Sequence, residues 1–234
     1  MSSSLSTSTL RTVERLWEER MSAPKGTLSS SGVSMVEWPG FTATVILDIG
    51  GSLIVAGPAE AIALLRHLSP QQLVDAEVAA SALLSLPPRL IGKALLGYAD
   101  ESTFTPAPAA HKVRPADLSA VEQALSHCDA DDRDESGLSE MSAWFVAEEE
   151  GVPVAAAGYE GWPGGVVHCG VAVGSWYRGR GLGQSVASAA VGHALAGHAV
   201  AQWRSRDTNA TSTRLGERLG FVQVGSQTAF DLHT

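Results

Sequence analysis

The chain has 234 residues, 44% of them hydrophobic and 18% charged, with a formal net charge of −9. That length buries a sizeable core in one or two domains, and the acidic balance argues against non-specific nucleic-acid binding. Its two cysteines, Cys128 and Cys169, lack paired metal spacing, which excludes a zinc site or disulfide scaffold, and no run reaches the roughly 18 apolar residues of a membrane span. A cytoplasmic protein in a reducing compartment is expected.

Residues 1–9 are Ser/Thr-rich, lack the features of a signal peptide, and are read as a disordered tail. Thr12 to Met21 has helical spacing through Val13, Leu16 and Trp17. Val33–Trp38 and Thr42–Leu47 read as strands, with Pro39-Gly40 as the hairpin turn between them. Asp48-Ile-Gly-Gly51 reads as a turn, and Leu53–Ala56 as a third strand. Pro58 opens a helix through His67, and Pro70 a second one to about Leu84. After Pro87-Pro88 a short helix to Tyr98 is expected. These elements make an α+β lobe over 10–102 with no chemical motif, followed by a Pro/Ala-rich linker at 103–110 and a second domain at 111–234.

In the second half, Val171 to Val173 is an apolar strand that runs into Arg178-Gly-Arg-Gly-Leu-Gly183 and a small-residue helix, Gln184 to Leu195. Glycine permits positive φ and leaves no Cβ between the amides and a ligand. The first-turn N–H groups of the helix then form an anion site, to which Arg178 and Arg180 add charge-assisted hydrogen bonds. The loop is neither a P-loop nor a dinucleotide fingerprint. Val200–Arg204 reads as the next strand. The following helix has Asp207, Thr208 and Asn209 as cap candidates and Gly220 as its stop, and Val222–Leu232 reads as two short strands.

The pairing of Arg178-Gly-Arg-Gly181-Leu-Gly183 with Asn209 through Gly220-Phe221 resembles the GNAT superfamily of acyl-CoA-dependent N-acetyltransferases. Lys112–Leu125 looks like that family's first strand and helix, and Trp144–Glu148 with Val154–Tyr159 like its second and third strands, joined at Glu149 to Pro153. The resemblance implies a mixed, mostly antiparallel α/β (α+β) sheet with helices on both faces, here preceded by the small lobe. It also implies acetyl-CoA as the donor, held by Val171, Ala172, Val173, Arg178, Gly179, Arg180, Gly181, Leu182, Gly183, Asn209 and Ser212. The N-terminal lobe would then either shape the acceptor pocket or dimerise the chain. From Arg178 to Arg218 six arginines face two acids, the local balance a polyanionic cofactor needs.

The family's usual base position falls on Val167 and its usual acid, a tyrosine, on Gly216, and neither residue can act. His168 is the substitute base, provided a bulge re-aims it, with Glu160, Tyr159 or a water chain as alternatives. Ser212 is the substitute acid, or a helix-packing hydroxyl. Asp129–Glu150 holds nine acids and one arginine, either a solvated loop or a rim that concentrates a cationic amine. Cys169 reads as a small buried hydrophobe, so direct transfer in a ternary complex is expected. The activity implied is acetyl transfer to a primary amine, on a cationic small molecule or a protein. The alternative is a catalytically weak or inactive acetyl-CoA-binding regulatory module.

Overall fold

The computed structural model describes residues 4–232. The chain forms two compact units: an N-terminal unit of Leu10–Leu96, Ser205–Asn209 and the last strand from Gln223, and a C-terminal unit of Gly97–Arg204, Ala210–Val222 and the described residues before Leu10.

Helix α1 (Thr7–Arg20) starts inside the stretch expected to be a tail and buries Val13, Leu16 and Trp17 at helical spacing. Residues 1–3 of that expected tail lie outside the described residues. Next come β1 (Val33–Glu37), β2 (Ala43–Ile49) and β3 (Ser52–Gly57). The hairpin expected at Pro39-Gly40 does not form: β1 runs parallel to β3, and β2 pairs antiparallel with β3. The hairpin turn is Gly50-Gly51, both at positive φ, with the Gly51 N–H donating to Asp48 Oδ1 at 2.9 Å. Two glycines there meet the twist of a tight hairpin better than Pro-Gly does.

Helix α2 (Ala59–Leu65) follows Pro58, as expected. The single helix expected from Pro70 is two, α3 (Pro70–Val74) and α4 (Ala76–Ala82). The break is Asp75, whose extended backbone lets its carboxylate cap the Glu77 and Val78 N–H groups. The helix expected up to Tyr98 is instead a long strand, β4 (Pro88–Ala99). Its burial at Ala94, Leu96 and Tyr98 follows a period of two, which the apolar composition of Leu90–Leu96 hid.

In the C-terminal unit come β5 (Val113–Ala116), α5 (Leu118–Leu125), a short α6 (Ala130–Ser136), β6 (Ala143–Glu149), β7 (Val152–Trp162) and β8 (Val166–Val173). Then follow α7 (Leu182–Leu195), β9 (Val200–Arg206), α8 (Ala210–Arg218) and β10 (Val222–Leu232), the last being one strand where two were expected. The strand order is β9-β8-β7-β6-β5 in this unit and β1-β3-β2-β10-β4 in the other. Antiparallel pairs predominate, while β1–β3 and β8–β9 are parallel.

One face of the C-terminal run packs Val167, Cys169 and Trp203 against Val186, Ala190 and Val191 of α7. The opposite face packs Val146, Ala156 and Ala172 against Val121 and Leu125 of α5. The stretch expected to be a linker is docked in this unit. Thr105 N–H donates to Leu219 O at 3.0 Å, Ala107 N–H donates to Ser188 Oγ at 2.9 Å, and Phe104 packs on the α7-side core.

Candidate functional site

The β8–β9 ladder pairs Val166–Cys169 with Val200–Trp203 and stops there, although β8 runs on to Val173 and β9 to Arg206. On its other edge β8 stays in register with β7 along its whole length, up to Val173 opposite Ala155. The two parallel strands therefore splay, and Val171, Ala172 and Val173 lie along the opening without a β9 partner; Ala172 turns its amide to Ala156 of β7, so the backbone of Val171 and Val173 faces the opening. Such an edge accepts an extended polar chain by main-chain hydrogen bonding.

Beyond the opening, the loop enters α7 through Gly179 and Gly181, at φ 78° and 84°. Gly181 is the N-cap of α7 and no side chain caps the helix start, so the first-turn amides at Leu182, Gly183 and Gln184 carry the positive end of the helix dipole. Leu182 anchors the turn by burying its side chain. A Cβ at Gly183 would lie 3.0 Å from Val173 Cγ2, a tight contact that glycine avoids where the helix start approaches β8. A turn of this build fits a pyrophosphate, and the splayed edge beside it fits the amide-rich arm of an acyl-CoA.

The two loop arginines are both held by carboxylates. Arg178 is ion-paired with Asp132 of α6, and its Nε donates to Val173 O at 3.3 Å. Arg180 pairs with Glu149 at 2.9 Å and lies over the Tyr177 ring. His111 Nε2 contacts Arg180 O at 2.7 Å. Part of the acidic segment read as an acceptor rim is thus engaged with this loop: besides Asp132, Asp129 accepts from Ser175 Oγ at 3.3 Å.

His168 projects from the face opposite Val167. The β7–β8 register is uniform, so no bulge re-aims it, and it shares the α5 face with Ala172. Glu160 stands directly across from it on β7, with Oε1 accepting from Trp162 Nε1 at 2.6 Å. Tyr159 points to the other face, where its hydroxyl meets His193 Nδ1 at 2.8 Å and burial, reinforced by Cys169, raises its pKa. Ser212, on α8, also lies on the α7 side: its Oγ and carbonyl both accept from Trp203 Nε1, at 3.2 and 3.1 Å. His168 and Ser212 are therefore on opposite faces of the sheet. Asn209, half-buried, immediately precedes α8, with its N–H on Arg206 O at 2.9 Å. Cys169 is fully buried, and desolvation pushes its thiol pKa up to about 12.

Three residues escaped the sequence reading. Trp203 fills the space beside Gly216, where a Cβ would come within 2.9 Å of its ring. Gln202 and Tyr98 are both wholly buried and hydrogen-bonded to each other at 2.7 Å. Gln202 was detectable, because a polar residue inside the apolar strand Val-Ala-Gln-Trp must find a partner when buried.

Residues 110–221 match the acetyltransferase (GNAT) family model. No curated protein matches the chain. Among solved structures, the chain is similar to a GCN5-related N-acetyltransferase from Kribbella flavida, at 22% identity and a TM-score of 0.52, over 66% of this chain and 63% of that one. It is also similar to a GCN5-related N-acetyltransferase-like protein from Streptococcus suis 89/1591, at 15% identity and a TM-score of 0.51, over 97% of this chain and 99% of that one. At these identities the likeness is one of fold. No described helix is long and apolar enough to cross a membrane.

Proposed function

We propose that this chain, whose residues 110–221 are a GNAT acetyltransferase domain, moves an acetyl group from acetyl-CoA to a primary amine by direct transfer in a ternary complex. The observation that carries the reading is the splay after Cys169 and Trp203, which opens beside an uncapped, glycine-built helix start. Bound there, acetyl-CoA supplies the activated thioester.

Along the edge formed by Val171, Ala172 and Val173, the main-chain groups that point away from β7, those of Val171 and Val173, hold the donor's arm, and an N–H there polarises the carbonyl under attack. Gly179, Arg180, Gly181, Leu182 and Gly183 receive the pyrophosphate, and Arg178 joins them once it leaves Asp132. Asn209 either reaches the donor's arm or caps α8. His168, on the α5 face with no bulge to re-aim it, is the proton acceptor for an amine that enters from that face, where Glu160 beside it attracts a cationic acceptor. Ser212 is the candidate donor to the departing thiolate. Its oxygen accepts from Trp203 Nε1 at 3.2 Å, which fixes where the hydroxyl sits. The acceptor is a cationic small molecule or a protein amine.

A second reading, a regulatory module that binds acetyl-CoA without turnover, draws on Val167 and Gly216. Both are buried at positions where the family often carries a base and an acid.

Calorimetric titration with acetyl-CoA, against coenzyme A and ATP, tests both readings. Micromolar acetyl-CoA binding with much weaker ATP binding is expected, and no binding overturns both. Thiol release on adding spermidine or another cationic amine then separates transfer from regulation.

A further inference from the structure

Four polar residues stand in a row across β4, β9, β8 and β7 within the C-terminal unit: Tyr98, Gln202, His168 and Glu160. Gln202 is directly opposite His168 in the parallel ladder, one pair before the splay begins, and Glu160 is directly opposite it on the other side. Tyr98 and Gln202 are wholly buried, so their polar groups must be satisfied inside the protein.

The amide nitrogen of Gln202 donates to the Tyr98 hydroxyl at 2.7 Å, which turns its oxygen toward His168 Nδ1, 3.1 Å away. A carbonyl oxygen only accepts, so Nδ1 carries the proton and Nε2 carries the lone pair. The ring is also braced by Trp162, stacked on it with centroids 4.9 Å apart and planes at 15°. Trp162 is in turn fixed by its hydrogen bond to Glu160 at 2.6 Å.

We infer that Gln202 is a positioning residue that, anchored by Tyr98, locks His168 as the Nδ1–H tautomer and so presents Nε2 as the proton-accepting atom at the vertex of the splay. Its bearing on catalysis rests on the acyl-transfer reading. The tautomer itself does not. On accepting a proton at Nε2, the ring becomes an imidazolium that keeps its Nδ1–H bond to Gln202, so no group has to reorient during the step.

The test is long-range proton–nitrogen NMR of the histidine rings in the full chain above the titration range, with His168→Ala used to assign the signal. The native protein is expected to show His168 protonated on Nδ1. Gln202→Met and Tyr98→Phe should shift the population toward Nε2–H. Gln202→Glu, which keeps an acceptor oxygen at the same place, should retain Nδ1–H. A purely structural role for Gln202 would leave the tautomer unchanged in the folded Met variant. That result, or a native ring protonated on Nε2, overturns the inference. If either buried variant fails to fold, the native tautomer still decides. With spermidine and acetyl-CoA, Gln202→Met should lower kcat about tenfold while leaving KM for acetyl-CoA unchanged. No acetyl-CoA binding at all would sink the acyl-transfer reading and leave the tautomer result standing.

Discussion

Cys169 and Gly216 have environments that fix what each residue can do. The thiol of Cys169 sits among Val167, Val186 and Trp203, where desolvation raises its pKa to about 12. It is therefore neither a nucleophile nor an acyl carrier at neutral pH. Iodoacetamide should leave it unmodified in the folded protein, and mass spectrometry after incubation with acetyl-CoA should find no acyl-cysteine. The raised pKa also has a consequence for stability. Burial of the neutral thiol stabilises fully below the unfolded thiol's pKa of about 8.5 and is lost as the pH rises from there toward the folded value. Urea midpoints should fall above pH 9, and Cys169→Ala should flatten that part of the decline. Gly216 is the reverse case, a position defined by a neighbour. Its missing side chain is replaced by the Trp203 indole, so Gly216→Ala should destabilise by about 1–3 kcal/mol through overpacking, read as a lower urea midpoint. A tyrosine placed there to restore a phenol would displace the indole and free Ser212 from its bond.

Among the elements, α6 is the one whose meaning changed most between sequence and structure. Its run of acids reads as a solvated loop or an acceptor rim, because spacing along the chain gives no sign that Asp132 folds back onto the loop after β8. In the structure Asp132 holds Arg178, and this carboxylate competes with any phosphate for the same guanidinium. Asp132→Asn should therefore tighten acetyl-CoA binding, by up to about fivefold at low salt given the modest worth of an exposed pair, with the gain shrinking as salt is added. Unchanged or weaker binding in calorimetry would mean that Arg178 stays beside α6 when the donor arrives. The glycine cradle, α7 and the strand before it were legible, because positive φ and an uncapped helix start are local properties written into Arg178–Gly183. The splay was not, since it depends on where a parallel ladder stops, and neither was β4, whose apolar stretch suits a helix or a strand until its neighbours choose. The face of His168 was legible from alternation alone. What sequence could not supply was its partner, because Gln202 is 34 residues away along the chain.

For the whole molecule, the compact unit that holds the candidate site reaches further back along the chain than its motifs do. Expected as a domain starting at residue 111, it takes in Gly97 onward, including the buried end of β4 and the docked stretch after it. Tyr98 and Ala99 are wholly buried there, Phe104 packs near Gly192, and the Thr105 N–H pairs with Leu219 just past α8. Asp100 secures the same corner. Burial alone would raise its pKa, but hydrogen bonds from Ser102, Thr9 and the Thr103 backbone outweigh that and hold the carboxylate below its ordinary value. A depressed carboxylate stabilises above its unfolded pKa and loses that contribution as the pH falls through its folded one, so this corner weakens only below about pH 4. Asp100→Ala leaves four donors, the Thr9 and Ser102 hydroxyls and the Ser102 and Thr103 N–H groups, without their acceptor and should cost about 3 kcal/mol at neutral pH, with the difference from the native protein narrowing in acid. Cutting the chain at residue 111 removes Tyr98, Asp100 and Phe104 together. Because these groups fill and satisfy the interior of the same unit as the donor loop, a fragment of residues 111–234 should melt at a much lower temperature than the full chain, or fail to fold, and lose acetyl-CoA binding. Cooperative melting at the full chain's temperature would show instead that this corner is dispensable to the unit.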